Sequence, residues 1–131
     1  MVSGAAGQPQ REGVAGRGRL SVEVRAEADA VVLLLAGELD HDTADPLREG
    51  LAEAVEAGER IVVDCAELRF CDSTGLNVLL RARLAASEAG GRLELAALRP
   101  PVARMFDITG ARAVFRVYAS LDEALADQRP K

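Results

Sequence analysis

Arg60-Ile61-Val62-Val63-Asp64-Cys65, followed after a short connection over residues 66–70 by Phe70-Cys71-Asp72-Ser73-Thr74-Gly75-Leu76-Asn77-Val78-Leu79-Leu80, is the stretch whose reading decides the fold. The first run is apolar and β-branched, as in a buried strand. The second opens a helix reaching about residue 89, with Leu76, Leu79, Leu80, Leu84 and Ala85 forming an apolar stripe and Arg81, Arg83 and Glu88 turned to solvent. Gly90-Gly91 stops it. A hydroxyl, that of Ser73, therefore sits where a strand hands over to a helix. A helix start exposes unpaired N–H groups and partial positive charge, so it suits a side-chain oxygen or a phosphate.

Upstream, residues 20–26 alternate apolar and polar, the period of a half-buried strand. Glu27-Ala28-Asp29 makes a hairpin connection. Residues 30–36 are almost wholly apolar and read as a central strand buried on both faces, ended by Gly37. Residues 37–42 are then a loop, Thr43 an N-cap, and Leu47, Leu51, Ala54 and Val55 one face of a helix closed by Gly58. Downstream, residues 92–98 alternate as a fourth strand, and Pro100-Pro101 starts a short helix with Val102, Met105, Phe106 and Ile108 on its apolar side. Residues 114–118 form a fifth strand, and Ser120 caps a last helix that begins at Leu121. The order β-β-α-β-α-β-α-β-α predicts a single α/β domain with a mostly parallel four- to five-stranded sheet, the first strand being the antiparallel exception.

The 131 residues suffice for one core, and a composition 49% apolar and 28% charged is that of a globular domain. The ordered domain is expected over residues 19–127, after a disordered lead-in at 1–18 and before a frayed tail at 128–131. A net charge of −5 argues against a broad nucleic-acid surface. No apolar run approaches the roughly 20 residues of a membrane helix, and residues 1–18 lack a signal-peptide core, so the expectation is a cytoplasmic protein. Cys65 and Cys71 read as buried thiols in a reducing compartment rather than zinc ligands. No metal cluster, dinucleotide fingerprint or P-loop is present, so no cofactor is expected.

Two segments, Gly37-Glu38-Leu39-Asp40-His41-Asp42-Thr43-Ala44 and Phe70-Cys71-Asp72-Ser73-Thr74-Gly75-Leu76, resemble the two signature segments of the STAS domain, and within it those of the bacterial anti-anti-sigma factors (anti-sigma factor antagonists). Residues 106–118 are similar to that family's last helix-to-strand segment, so the resemblance covers residues 19 to about 127. It implies a non-enzymatic binding protein. Unphosphorylated, such a protein binds an anti-sigma factor, usually an ATP-dependent serine kinase, and so frees a sigma factor for transcription. Phosphorylation releases it and a phosphatase resets it. By resemblance the phosphorylated serine is Ser73. Asn77 stands where many relatives have Gly, and Ala111 where Leu is common.

Each residue of this set also has a plainer meaning. Ser73 reads either as the modified hydroxyl or as a simple N-cap. Asp72 is a partner contact or a capping carboxylate, and Thr74 is a second, lesser hydroxyl. Gly75 leaves room for a partner's active site, or is an ordinary helix-start glycine. Asp40 belongs to the same sheet end or is a plain loop acid. Asn77 tunes partner choice, and Arg81 lies on a face that is solvated or partner-covered. His41 reads as a solvated side chain. The partner-binding set is thus Asp40, Asp72, Ser73, Thr74, Gly75, Asn77 and Arg81, on a monomer or weak dimer. Two other functions compete. One is a STAS scaffold subunit of a larger signalling assembly. The other is a hydrolase with a Ser73 nucleophile, His41 and an aspartate, against which stands the missing Gly-x-Ser-x-Gly elbow, since Cys71 fills the first glycine position.

Overall fold

The computed structural model describes residues 19–27, 29–58 and 60–127. The expected lead-in at 1–18 and tail at 128–131, and Ala28 in the hairpin connection, lie outside them. The elements run β1 (Leu20–Glu27), β2 (Ala30–Leu39), α1 (Ala44–Glu56), β3 (Arg60–Cys71), α2 (Ser73–Glu88), β4 (Arg92–Ala96), α3 (Pro100–Thr109), a 3-10 turn (Ala111–Ala113), β5 (Val117–Tyr118) and α4 (Leu121–Ala126). This is the predicted element order. The five strands stand side by side in chain order. β1 pairs antiparallel to β2, and every later pairing is parallel.

Strand alternation sorts the side chains onto two faces. Leu33 and Leu35 of β2, Ile61 and Val63 of β3, and Leu93 and Leu95 of β4 meet Leu47 and Leu51 of α1, Leu76 and Leu79 of α2, and Val102 and Phe106 of α3 in the main core. Burying one such leucine or isoleucine stabilises by roughly 1.5–3 kcal/mol. The opposite face is smaller: Ala30, Val32, Val62 and Ala96 pack against Ala124 of α4. Ser120 caps α4 by accepting from the N–H of Glu123 at 3.1 Å.

Several boundaries differ from expectation, each for a local reason. β2 does not end at Gly37 but continues to Leu39, still paired with β3. Gly37 has φ +113°, and a Cβ there would fall 1.9 Å from the Arg19 carbonyl oxygen. That carbonyl accepts the Glu38 N–H at 2.7 Å. The glycine marks a close backbone approach at a bulge, not a strand end. β3 likewise runs through the expected connection over 66–70. The register with β2 shifts twice there, which breaks the alternation and leaves Leu68 buried but Phe70 49% exposed. β4 stops at Ala96, because Ala97 takes φ +62°. Residues 111–113 form a 3-10 turn, so only Val117 and Tyr118 remain as the last strand. On α2, Leu84 is exposed and Val78 is buried, and Ile108 of α3 is 77% exposed. Cys65 and Cys71 are buried and unpaired. Burial, together with the charges of Cys71 and Asp64, pushes the Cys65 thiol far up. Burial and then the Asp72 charge raise Cys71 to about 12.

Candidate functional site

β2 and β3 end side by side, and the main-chain N–H of Asp72 donates to the Leu39 carbonyl at 3.1 Å. That bond joins the β2–α1 loop to the start of α2, so Asp40 and Ser73 do occupy one end of the sheet. In parallel α/β sheets, ligand sites gather beyond the carboxyl ends of the strands, which makes this corner the candidate.

The cap of α2 is Asp72, not Ser73. Its Oδ1 accepts from the Gly75 N–H at 3.0 Å, and its backbone is extended. Ser73 is the first helical residue, exposed, and its hydroxyl makes no hydrogen bond among the described residues. A capping carboxylate is worth about 1 kcal/mol, and here that task leaves the serine uncommitted. Thr74 is half-buried, whereas Asn77 and Arg81 are exposed one and two turns beyond Ser73. Ser73, Asn77 and Arg81 thus form a stripe at four-residue spacing. Arg81 also stands at the lip of an open groove of about 430 Å³ between α1 and α2, floored by Leu51, Val55, Val78 and Ala82.

Gly75 is not clearance for a partner. It is buried, and a Cβ there would fall 2.5 Å from Leu39 Cγ and 3.1 Å from Cys71 Sγ. The space it leaves lets α2 seat against the ends of β2 and β3.

Asp40 is held within its own loop. Its Oδ1 accepts from the N–H groups of Asp42 at 2.9 Å and Thr43 at 3.1 Å and from the Thr43 hydroxyl at 3.2 Å. Partial burial opposes ionisation, but the Asp42 N–H, the Arg19 charge and the Thr43 bonds outweigh it and hold this carboxyl below its ordinary value. Thr43 stands at the N-cap position of α1 without capping it by side chain. Its hydroxyl instead donates to the Glu38 carbonyl at 2.8 Å and accepts from the Asp40 N–H at 2.9 Å. Arg19 reaches Asp40 at 3.5 Å and Asp42 at 3.6 Å. His41 is exposed and lies 3.3 Å from Asp42.

Two contributors were missed from sequence. Phe70 is a half-exposed aromatic ring on the strand end that leads into Ser73, opposite Glu38 in the register. It falls in residues 66–70, where the sequence predicts a connection, and no pattern marks its outward turn. Arg19, at the edge of the expected domain, braces the loop acids. Among the described residues no group of three or more His, Cys, Asp or Glu side chains is placed to hold a metal ion, and no helix is long and apolar enough to cross a membrane.

The family model described as "Mlab, STAS domain" matches residues 22–118. The chain is 32% identical over 110 residues to the anti-sigma F factor antagonist of Paenibacillus polymyxa, covering 82% of this chain and 94% of that one. An anti-sigma factor antagonist from Mycobacterium paratuberculosis superposes with a TM-score of 0.77 at 24% identity, covering 86% of this chain and 97% of that one. The anti-sigma factor antagonist SpoIIAA in its unphosphorylated form and the Bacillus cell fate determinant SpoIIAA in its phosphorylated form superpose with TM-scores of 0.69 and 0.67 at 25% identity, covering 80% and 83% of this chain and 93% and 100% of those chains. With the family model matching residues 22–118, which reach into all five strands, and a relative of this identity aligned over nearly its full length, the chain belongs to the STAS domain family.

Proposed function

We propose that this chain is an anti-sigma factor antagonist that docks on its anti-sigma factor through the corner where β2 and β3 end, and that phosphorylation of Ser73 ends the docking. The observation that carries this is the uncommitted, exposed Ser73 hydroxyl at the first position of a helix already capped by Asp72. The relative from Paenibacillus polymyxa bears the name anti-sigma F factor antagonist, which supports the choice of partner.

The chain supplies an acceptor and a surface, and the partner supplies the chemistry. Ser73 Oγ attacks the γ-phosphorus of ATP bound by a serine kinase-type anti-sigma factor. The bond from that phosphorus to the bridging oxygen breaks, ADP leaves, and the hydroxyl proton passes to a base or water on the partner. The product carries about −1.5 to −2 charges on the phosphate. The helix N-terminus favours that charge, so the fold tolerates it. A partner surface fitted to a neutral hydroxyl, beside Asp72 and with Asp40 in the adjoining loop, does not. SpoIIAA keeps a recognisably similar fold in both states, with TM-scores to this chain of 0.69 and 0.67, which supports a change of charge rather than of fold. Phe70 is the apolar anchor of the corner, since exposed aromatics rank high among interface hot spots. A phosphatase restores the hydroxyl by hydrolysing the ester.

Incubation with the serine kinase partner and ATP, followed by peptide mass mapping, should give one phosphate on Ser73 and none on Ser73→Ala. Ser73→Asp should bind the unphosphorylated protein's partner at least tenfold more weakly while its circular dichroism spectrum stays that of wild type. Undiminished affinity of Ser73→Asp, or phosphate on another residue, removes the proposal.

A further inference from the structure

The other end of α2 carries a second, unrelated feature. A pocket of about 220 Å³ lies between the end of α2, the start of β4 and the approach to β5, and Arg83, Arg92 and Arg116 line it together with Ser87, Val114 and the edge of Glu94. Ser87 is 14 residues beyond Ser73, or about 20 Å along α2 at 1.5 Å per residue, so the pocket is remote from the docking corner. In a chain of net charge −5 this is a concentration of positive charge.

Glu94 does not cancel it. That carboxylate is only 5% exposed and is already held by Arg60 at 2.7 Å through one oxygen and by Arg92 at 3.0 Å through the other. Arg116 adds a looser contact at 3.9 Å while half its side chain stays in solvent. Arg83 makes no hydrogen bond or ion pair among the described residues, although it is partly buried against the pocket. Three arginines therefore line one small volume with a single carboxylate, Glu94, which is shared among Arg60, Arg92 and Arg116, so positive charge is left in excess there.

We propose that this pocket binds a small phosphate-bearing anion. Guanidinium forks match the paired oxygens of a phosphate and are the usual choice for it. The Ser87 hydroxyl is a further donor. The volume lies below the range of about 300–1,000 Å³ typical of pockets for drug-sized ligands, so it suits inorganic phosphate or a short monoester rather than a whole nucleotide. Val114, a lining residue that is 43% exposed, offers an apolar contact to the organic part of such an ester.

The test titrates the full chain with inorganic phosphate, and separately with glycerol 3-phosphate, at constant ionic strength set with chloride. Amide chemical shifts and thermal unfolding are followed. The expected result is saturable shifts centred on Arg83, Ser87, Gly91, Arg92 and Arg116, with a rise in Tm of roughly 5 °C at tenfold excess over Kd. Arg83→Ala/Arg116→Ala should weaken binding at least tenfold while its Tm without phosphate stays within a few degrees of wild type. A tighter monoester assigns the ligand to the esterified form, and a tighter inorganic phosphate to the free form. Ser73→Ala should bind the anion as wild type does, so the pocket stands or falls apart from the docking proposal. Shifts that never saturate, shifts centred on Ser73 instead, or undiminished binding by the double variant would each overturn the assignment.

Discussion

At the carboxyl ends of β2 and β3 the polar side chains are tied to nearby main chain at the surface, whereas at the amino ends of β3 and β4 charges are drawn inside and tied to one another. Asp40, Thr43 and Asp72 each bond a backbone N–H within three residues. Arg60 and Glu94, 34 residues apart, are each only 5% exposed. Arg60 also donates to the Ala124 carbonyl at 2.7 Å and lies over the Tyr118 ring at 5.9 Å, fastening α4 to the sheet. The first arrangement is local and replaceable, and it leaves the exposed Ser73 hydroxyl with no hydrogen bond among the described residues. The second is long-range, and each member depends on the others. A charge added at the first end should change what binds, while a charge removed at the second should change whether the domain folds.

The largest effect should therefore come from Glu94→Ala, which strands Arg60 in the sheet. Breaking a buried pair from one side costs about 3–5 kcal/mol. Urea denaturation should show the loss as a lower midpoint at similar slope. Replacing both partners with Arg60→Met/Glu94→Leu should recover most of it, since apolar pairs often match a buried ion pair. A Glu94→Ala protein within about 1 kcal/mol of wild type would erase the contrast between the two ends.

Gly75→Ala comes next. The new Cβ must displace Leu39, and overpacking of this kind costs roughly 1–3 kcal/mol. It tests whether the first end is replaceable only in its polar groups, not in its packing. Leu39→Ala is costly in its own right, so the clash is identified by a cycle: Gly75→Ala should cost little when it is added to Leu39→Ala. Asp72→Ala should cost about 1 kcal/mol through the lost cap.

The difference between the ends also explains what could be seen before the fold was known. Element order, the parallel sheet and the Asp40–Ser73 corner were legible because apolar periodicity and glycine punctuation are local signals. Gly37 misled because a glycine demanded by the distant Arg19 carbonyl looks in sequence like one that ends a strand. The bulged stretch through Leu68 lost its alternation, so it passed for a connection and hid Phe70. The choice of cap between Asp72 and Ser73 turned on backbone angles that either residue type permits. Arg60 and Glu94 lay within strand patterns as isolated charges, and only strand register brings them together.

A smaller effect is confined to acid. Asp40 has a folded-state pKa below its ordinary value, so its contribution is fully present above the unfolded pKa and is lost as pH falls through the folded one. The wild-type advantage over Asp40→Asn should thus shrink as pH drops below about 4 and stay flat from pH 5 to 7. An advantage that grows towards low pH would reverse the sign and detach Asp40 from its N–H donors.

The smallest expected change is the most discriminating. Ser73→Ala removes a hydroxyl that bonds nothing among the described residues, so stability should stay within about 0.5 kcal/mol of wild type, as for surface sites free of special features. Were Ser73 the cap, the same substitution would cost about 1 kcal/mol. Denaturant melts of Ser73→Ala and Asp72→Ala side by side separate the two cases, because only one of the adjacent residues can show the loss. If Ser73→Ala is the weaker protein, the hydroxyl has a structural task, and a phosphate there would disturb the helix start as well as the partner. If Asp72→Ala is the weaker, the domain can exchange a neutral hydroxyl for a dianion at little cost to its own fold, which is the condition a charge-based release from a partner requires.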